Sequence, residues 1–342
     1  MNVKGKRVYA GLSGGVDSAV TAALLVKAGA EVTGVFIKGW YPPGMPCTWA
    51  ADRRDAMRVA ARLGIPFITL DASDEYKRGV IDYLLREYQA GRTPNPDVMC
   101  NREVKFGAFY TYAKESGADY IATGHYARSE SGVLLRGIDE DKDQSYFLWA
   151  VPQDAIAHTL LPVGGLKKDE VRNLARRFKL PVADKRDSQG ICFLGNISVE
   201  DFLRSEFGST EGIAIDEEGK KVGMHKGATL HTLGERIALA GAAPGPWYVV
   251  RKDMQENVLV VAKQLDKEHV SRTIRLSETN WHTQMVDGVY EAQYRYHGPI
   301  VRGYLNAKEN TFTPEEGTEP LAPGQSLVLY TKDRCHGGGI ML

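Results

Sequence analysis

Two cysteines stand in sequence surroundings that favour a reactive thiol over a buried core residue. The first, Cys100, lies in the stretch GRTPNPDVMCNREVKFG, in which two X-Pro steps predict a stiff, extended loop. A helix is predicted to begin at this cysteine, with Asn101 or Asp97 available as its capping residue. A helix N-terminus with Arg102 and Lys105 nearby favours the thiolate, which is the nucleophilic form of cysteine.

The second cysteine, Cys192, lies in the stretch DKRDSQGICFLG, which is polar, contains glycine and is unlike a core strand. Two reactive thiols on one chain are suited to sulfur transfer, in which one thiol carries a persulfide that attacks an activated carbon. The other thiol can then resolve the product as a disulfide. Cys47 and Cys335 are predicted to be structural or incidental, and no C-x-x-C pair of the kind found in zinc ribbons occurs.

A glycine-rich turn, GLSGGVDS at residues 11–18, has the composition of a phosphate site. Paired glycines let the backbone approach an anion, and the helix that follows presents free amides and a positive dipole end. Neither the Walker A ending Gly-Lys-Ser/Thr nor the dinucleotide pattern G-x-G-x-x-G is present. Ser13 and Ser18 can add hydroxyl donors, whereas Asp17 is predicted either to cap the helix or to help hold Mg²⁺.

An alternation of strand and helix patterns must position these residues. Strands are predicted at 7–12, 31–37, 67–70 and 120–123, and helices at 19–28, 50–63, 74–89, 103–116, 145–150, 168–179 and 198–207. This βαβα rhythm predicts an α/β domain in which helices cover both faces of a parallel sheet. Ligands in such sheets bind at the carboxyl ends of the strands, where the glycine-rich turn falls.

The second half of the chain has a different pattern. Short alternating segments at 247–251, 257–262, 289–296 and 326–331 are separated by Gly, Pro and charged turns. Because 342 residues exceed one ordinary domain, we divide the chain into three. The predicted division is a catalytic domain at 1–207, a small β-rich central domain at 208–272 and a C-terminal β-barrel at 273–342.

The overall composition is that of a soluble protein with a substantial core, with 43% hydrophobic and 25% charged residues. Lys plus Arg and Asp plus Glu both number 43, so net charge alone indicates no polyanionic partner, although charge can still segregate onto one face. The sequence shows neither an apolar signal segment nor a run of about 18 apolar residues. We therefore expect a cytoplasmic protein without a membrane partner.

Five stretches, occurring in order, resemble the motifs of the bacterial tRNA-specific 2-thiouridylases: GLSGGVDSAV, TPNPDVMCNREVKFG, ATGHYAR, DKDQSYFL and DSQGICFLG. The first is similar to the PP-loop, S-G-G-x-D-S, of the ATP pyrophosphatase group, which has an adenine nucleotide alpha-hydrolase-like fold. The resemblance is strong over residues 7–195 and weaker towards the C-terminus. It implies 2-thiolation of the wobble uridine in tRNA anticodons. The C2 oxygen would be adenylated and replaced by persulfide sulfur, with release of AMP and pyrophosphate.

The resemblance also implies roles for individual residues. ATP, accompanied by Mg²⁺, would be bound by Gly11, Leu12, Ser13, Gly14, Gly15, Val16, Asp17, Ser18, Ile37 and Gly124. The target base would be contacted by Asn95, Pro96 and Asp97, with Asp97 placed for acid–base help. Cys100 resembles the nucleophile and Cys192 the cysteine that carries the persulfide, and the two would form a disulfide during turnover. Contacts to tRNA would come from Lys142, Asp143, Gln144, Arg295 and Tyr296.

The implied partners are tRNA with a wobble uridine and a sulfur donor, either a sulfur-relay protein or a cysteine desulfurase. Two other functions stay open. A PP-loop ligase that adenylates a small metabolite would be favoured by a glutaminase or additional substrate domain, and neither is evident. A non-catalytic RNA-binding protein with a degenerate nucleotide site is disfavoured by the intact glycine-rich turn and the two thiols.

Overall fold

A computed structural model of the chain describes residues 2–42, 49–186, 198–241, 245–265, 273–316, 318 and 321–342. Its first sheet has the strand order β3-β2-β1-β4-β7, and every pairing in it is parallel. The strands in this part of the chain are β1 (Arg7–Gly11), β2 (Glu31–Lys38), β3 (Phe67–Asp71), β4 (Tyr120–Ala122), β5 (Ala127–Glu130), β6 (Val133–Arg136) and β7 (Thr159–Leu160). The predicted parallel sheet is confirmed.

Helices cover both faces of this sheet, as predicted. The neighbouring β4 residues Ile121 and Ala122 point into separate hydrophobic cores, one on each face. The helices are α1 (Val16–Lys27), α2 (Trp49–Leu63), α3 (Ser73–Tyr76), α4 (Asp82–Gln89), α5 (Pro96–Met99), α6 (Phe109–Glu115), α7 (Gln153–Ala157), α8 (Lys168–Arg177) and α9 (Val199–Phe207). Two π-helical segments, Lys77–Ile81 and Cys100–Ala108, join α3 to α4 and α5 to α6.

The small central sheet has the order β10-β11-β12-β8-β9. Its strands are β8 (Gly212–Ile215), β9 (Lys221–His225), β10 (Arg236–Ile237), β11 (Trp247–Asp253) and β12 (Val258–Ala262). Alternate residues of β11, including Trp247 and Val249, join Leu259 and Val261 in a small core of its own. The predicted β-rich central domain is confirmed.

The C-terminal sheet closes on itself through pairing of β13 with β18, which makes a six-stranded barrel. Its strands are β13 (Ile274–Trp281), β14 (Gly288–Gln293), β15 (Ile300–Asn306), β16 (Thr311–Pro314), β17 (Ser326–Thr331) and β18 (Arg334–Met341). The hairpin β5–β6 from the first half of the chain pairs with β18, where Leu135 lies opposite Arg334. The barrel is therefore joined to the catalytic half by a sheet that sequence analysis did not predict.

Two shorter elements complete the architecture. The segment predicted as a helix at 145–150 is a 3-10 turn, Ser145–Leu148, and a second such turn covers Ala228–Leu230. Across the described ranges, no helix combines the length and apolar character needed to cross a lipid bilayer.

Candidate active site

The glycine-rich turn joins the end of β1 to the start of α1. Gly14 has φ +78°, and a Cβ atom there would lie 2.4 Å from the backbone oxygen of Asp52, so only glycine fits. Gly15 is the N-cap of α1 and supplies no side-chain cap. The first amides of a twelve-residue helix are therefore left for an anion at the carboxyl edge of the sheet.

The two serines of this turn have different positions. Ser18 is 6% exposed, and its Oγ accepts from the Ser13 amide at 3.2 Å and donates to the Gly15 carbonyl at 3.2 Å. Ser13 is exposed, and its Oγ accepts from the Gly15 amide at 3.3 Å. Ser18 therefore stabilises the turn from inside, whereas the exposed Ser13 hydroxyl is accessible to an anion.

Asp17 neither caps α1 nor sits in a carboxylate cluster. Its carboxylate accepts a hydrogen bond from Tyr126 Oη at 2.8 Å and pairs with Lys168 Nζ at 2.8 and 2.9 Å. It thereby ties the first turn of α1 to the first residue of α8. In the described ranges, no group of three or more His, Cys, Asp and Glu side chains is arranged to hold a metal ion.

The end of β4 packs against the same turn of α1. A Cβ atom on Gly124 would lie 2.7 Å from the Ser18 amide nitrogen, so this close approach requires glycine. Ile37, the predicted adenine-side residue, lies at the carboxyl end of the neighbouring strand β2 and is half-buried. The predicted ATP-binding residues are thus gathered at one edge of the sheet.

His125 follows Gly124 and is buried beneath this edge. Its Nδ1 lies 2.8 Å from Thr123 Oγ1, and its Nε2 lies 3.5 Å from Lys105 Nζ. Burial, with the nearby Lys105 charge as a smaller cause, holds the pKa of His125 well below its usual 6.5. The imidazole is therefore neutral at physiological pH.

The predicted start of the helix at Cys100 is wrong. The helix begins four residues earlier, because Asn95 is its N-cap and accepts hydrogen bonds from the amides of Asp97 and Val98 at 3.2 and 3.3 Å. Cys100 lies where α5 passes into the π-helical segment and is 5% exposed. Asn101 is not a cap either, since its amide donates to the Phe147 carbonyl at 3.1 Å.

Asp97 and Lys105 lie on opposite sides of Cys100 in the sequence. Burial raises the pKa of the Asp97 carboxyl above its usual 3.8, and the Lys105 charge opposes that rise. A carboxyl group with a raised pKa is suited to exchanging a proton with a substrate. Arg102, by contrast, forms ion pairs with Glu103 and Glu278, and these two carboxylates balance its positive charge.

The loop before Asn95 is held by both β domains. The Thr93 amide donates to the Pro323 carbonyl at 2.8 Å, and Gln325 Nε2 donates to the carbonyls of Thr93 and Pro94 at 2.7 and 3.3 Å. Thr93 Oγ1 also lies 3.2 Å from Thr232 Oγ1 of the central domain. Sequence analysis missed Thr93 and Gln325, because only the two X-Pro steps signalled that the loop is fixed.

The predicted tRNA residues Asp143 and Gln144 are engaged within the protein. Asp143 is 8% exposed and accepts from Gly137 N, Ser145 N and Ser145 Oγ at 2.9 to 3.0 Å, and from Arg136 Nη1 at 3.2 Å. Gln144 Oε1 accepts from the Tyr126 amide at 3.0 Å. Lys142, next to them, is half-buried. A contact to tRNA stays a prediction for all three.

Arg295 and Tyr296 lie just beyond the end of β14. Arg295 is exposed. The Tyr296 ring lies 4.4 Å from the Phe147 ring and is stacked on His297 at 3.9 Å. Burial raises the pKa of Tyr296, and the charges of Asp143 and Asp97 add to the effect. The barrel thus brings an aromatic surface close to the predicted target-base residue.

The persulfide candidate Cys192 lies outside the described residues, as does Cys47. The chain that leads towards Cys192 is fixed at Lys185, whose Nζ pairs with Asp52 and Asp55 of α2, each at 2.8 Å. Because the Asp52 backbone also contacts Gly14, this anchor lies beside the glycine-rich turn. Cys335 is 1% exposed, and burial raises its pKa to about 12, in agreement with a packing role.

Known proteins match the chain over almost its whole length. Models described as a tRNA methyl transferase HUP domain, a tRNA methyl transferase PRC-barrel domain and an aminomethyltransferase beta-barrel domain match residues 6–196, 200–263 and 271–341. A tRNA-specific 2-thiouridylase of Hahella chejuensis is 41% identical, with 99% of this chain and 98% of that protein covered. The chain belongs to the tRNA-specific 2-thiouridylase family. The matched models confirm its three-part architecture, whereas the boundaries after residues 207 and 272 stay predictions.

Other 2-thiouridylases are equally similar. One from Neisseria meningitidis serogroup B is 43% identical, with 98% of this chain and 95% of that protein covered. One from Enterococcus faecalis is 40% identical, with the same two coverages. A solved 4-thiouridine synthetase–RNA complex with bound ATP shares 19% identity over 59% of this chain and 50% of that chain. Its TM-score is 0.38, which is too low to bear on function.

Proposed function

We propose that the protein replaces the C2 oxygen of the wobble uridine in tRNA with sulfur, at the expense of ATP cleaved to AMP and pyrophosphate. The observation that carries this proposal is a chain of neighbouring residues that links the glycine-rich turn to the helical segment that bears the thiol. Gly124 touches Ser18, the next residue His125 contacts Lys105, and Lys105 lies in the π-helical segment that begins at Cys100. The full-length identity to 2-thiouridylases supports the same chemistry.

In the first half-reaction, the turn residues and the α1 amides hold the pyrophosphate portion of ATP. Asn95 and Pro96 position the uridine, and Asp97 accepts the proton from N3 while O2 attacks the α-phosphorus. The bond to pyrophosphate breaks and its electron pair leaves with that group. Mg²⁺ bound to the phosphates would supply additional charge neutralisation.

In the second half-reaction, the terminal sulfur of a persulfide on Cys192 attacks C2, and AMP leaves with the former C2 oxygen. The Cys100 thiolate then attacks Sγ of Cys192, which forms a disulfide and releases the other sulfur on C2. Asp97 returns the proton to N3 as the thiocarbonyl forms. An external thiol must reduce the disulfide, and a cysteine desulfurase or sulfur-relay protein must supply new persulfide sulfur, in the cytoplasm.

The two β domains are proposed to hold the tRNA and to align the loop that contacts the target base. Support comes from Thr93, which is bonded to both of them. Lys142, Arg295 and Tyr296 are the proposed tRNA contacts, and contacts from Asp143 and Gln144 stay predictions. An exposed arginine and an aromatic surface suit a phosphate and an unstacked base, respectively.

The test combines purified protein, Mg-ATP, a persulfide source and a tRNA transcript with a wobble uridine. We expect AMP, pyrophosphate and a thiolated nucleoside, all dependent on the tRNA. A matched transcript with cytidine at the wobble position should give none of them. AMP formation that ignores tRNA and needs a small metabolite would instead indicate a ligase. Binding of tRNA without AMP formation would indicate a non-catalytic RNA-binding protein.

A further inference from the structure

We propose that Lys105 is a phosphate-binding residue outside the glycine-rich turn, whose ammonium group contacts the α-phosphate of ATP and then the phosphate of the adenylated uridine. This inference rests on the proposed function, because it assigns a residue to the adenylation step. It names Lys105 as a catalytic residue that touches the reacting phosphorus group.

The position of Lys105 follows from the π-helical segment Cys100–Ala108. A π-helical hydrogen bond joins residues five apart, so Lys105 lies about one turn beyond Cys100. The side chain is half-buried and reaches His125, which follows the glycine that touches Ser18. Lys105 therefore connects the thiol-bearing helix with the edge where the phosphates are expected to bind.

The contact with His125 does not neutralise Lys105. The imidazole is neutral, because burial disfavours its charged form. An ammonium group offers only donors, so the Nε2 atom that faces it must present its lone pair. Nδ1 therefore carries the proton and donates to Thr123 Oγ1. This arrangement orients the lysine, at a long 3.5 Å contact, and the neutral imidazole does not balance its positive charge.

No carboxylate of the described ranges forms an ion pair with Lys105. Asp97 influences it only through space, whereas beside the turn Lys168 pairs with Asp17 and Lys185 pairs with Asp52. A half-buried ammonium group that forms no ion pair with the described carboxylates is stabilised when an anion binds beside it. A phosphate of the substrate supplies that anion.

The α-phosphate is favoured over the other two phosphates because of where Lys105 stands. The glycine-rich turn, which Gly124 contacts, is proposed to hold the leaving pyrophosphate, and Asp97 is proposed to face the base. The phosphorus attacked by O2 must lie between them. As the O2–P bond forms and the P–O bond to pyrophosphate breaks, negative charge builds on the non-bridging oxygens, and a fixed ammonium group stabilises it.

The experiment compares wild type, Lys105→Met and the matched control Lys114→Met, in which an exposed lysine paired with Asp154 is removed from the following helix. We expect Lys105→Met to lower tRNA-dependent AMP formation at saturating ATP by ~100-fold, as for loss of one transition-state donor. Its affinity for tRNA should equal that of wild type, and Lys105→Arg should recover part of the rate. Lys114→Met should match wild type in both measurements.

Wild-type AMP formation in Lys105→Met would overturn the proposal, as would a loss that parallels weakened tRNA binding. If wild type itself formed no AMP with tRNA, the proposed function would fail, and binding of a non-hydrolysable ATP analogue would decide the role of Lys105. In that case at least ~10-fold weaker binding by Lys105→Met supports phosphate contact, and equal binding refutes it.

Discussion

Gln325, in the C-terminal barrel, donates a hydrogen bond from Nε2 to the backbone oxygen of Thr93 at 2.7 Å. This bond spans 232 residues of sequence and fixes the loop that leads into the proposed target-base residues. If the barrel holds the tRNA as proposed, the bond would couple the position of the RNA to that of Asp97.

Substituting Gln325→Leu removes both of its bonds to the loop, including the 3.3 Å bond to the Pro94 carbonyl. Small displacements of catalytic groups lower the reaction rate strongly, so we expect the rate of AMP formation to fall by ~10-fold or more. Gln153→Leu is the matched control, since Gln153 donates to the Gly132 carbonyl away from the site. Equal rates in the two variants would show that the loop does not depend on the barrel.

Cys100→Ser should separate the two half-reactions. Adenylation and attack by the Cys192 persulfide need no second thiol, whereas release of the sulfur does. We therefore expect one round of AMP formation, no free thiolated tRNA, and a covalent protein–tRNA adduct that a thiol reductant releases. Denaturing gel electrophoresis with and without reductant detects it. Cys335→Ala, at a cost of about 1 kcal/mol in stability, should leave thiolation intact. Full thiolation by the Cys100→Ser variant would show that the Cys100 thiol is not needed to release the sulfur.

The pH dependence of AMP formation should follow the ionisation of the Asp97 carboxyl group. Its carboxylate must be ionised to accept the N3 proton, so the rate falls as pH drops through the pKa of Asp97. Because burial raises that pKa above 3.8, the acid limb of kcat/KM should lie above the usual aspartate range. Lys105→Met removes an opposing charge and should shift the limb to higher pH. An unshifted limb in that variant, or an acid limb that persists in Asp97→Asn, would exclude this assignment.

The ion pair of Asp17 with Lys168 should act on nucleotide binding. Lys168→Met leaves the Asp17 carboxylate uncompensated beside the phosphate turn, so ATP binding should weaken by ~10-fold or more. The double variant Asp17→Asn/Lys168→Met removes the repulsion and should recover part of that loss, which a double-mutant cycle measures. Strictly additive effects in the cycle would show that the pair is not coupled at this site.

Asp143→Ala should destabilise the fold. This buried carboxylate accepts four hydrogen bonds, one of them from Arg136. Its removal leaves the Arg136 guanidinium without its carboxylate partner, so we expect the free energy of unfolding to fall by ~3 kcal/mol. Asp141→Ala, which changes an exposed residue two positions earlier, is the control. Thermal or denaturant unfolding measures both. Weakened tRNA binding by Asp143→Ala with unchanged stability would instead favour direct RNA contact.

The parts of the site that follow from local sequence were predictable. The glycine-rich turn needs a positive φ at Gly14 and a helix directly after it, and both requirements are visible in six residues. The start of α5 was misplaced because Asn95 competes with the later polar residues as cap, and its advantage depends on the φ and ψ angles of the folded loop.

Contacts between distant segments were not predictable from local patterns. Pairing of β6 with β18, the bond from Gln325 to Thr93 and the contact of Lys105 with His125 join parts of the chain with no shared periodicity. The burial of Asp143 could not be predicted from the sequence either, because an aspartate in a polar stretch is normally exposed.

The proposed mechanism requires that the C2 oxygen of uridine becomes adenylated before sulfur replaces it. A tRNA whose wobble uridine carries oxygen-18 at O2 tests it directly in a reaction with Mg-ATP and a persulfide source. Mass spectrometry should find the label in the phosphate of AMP, in equal amount to the thiolated uridine formed. Label that appears in water or pyrophosphate, or that stays in the uridine while AMP accumulates, would contradict the account.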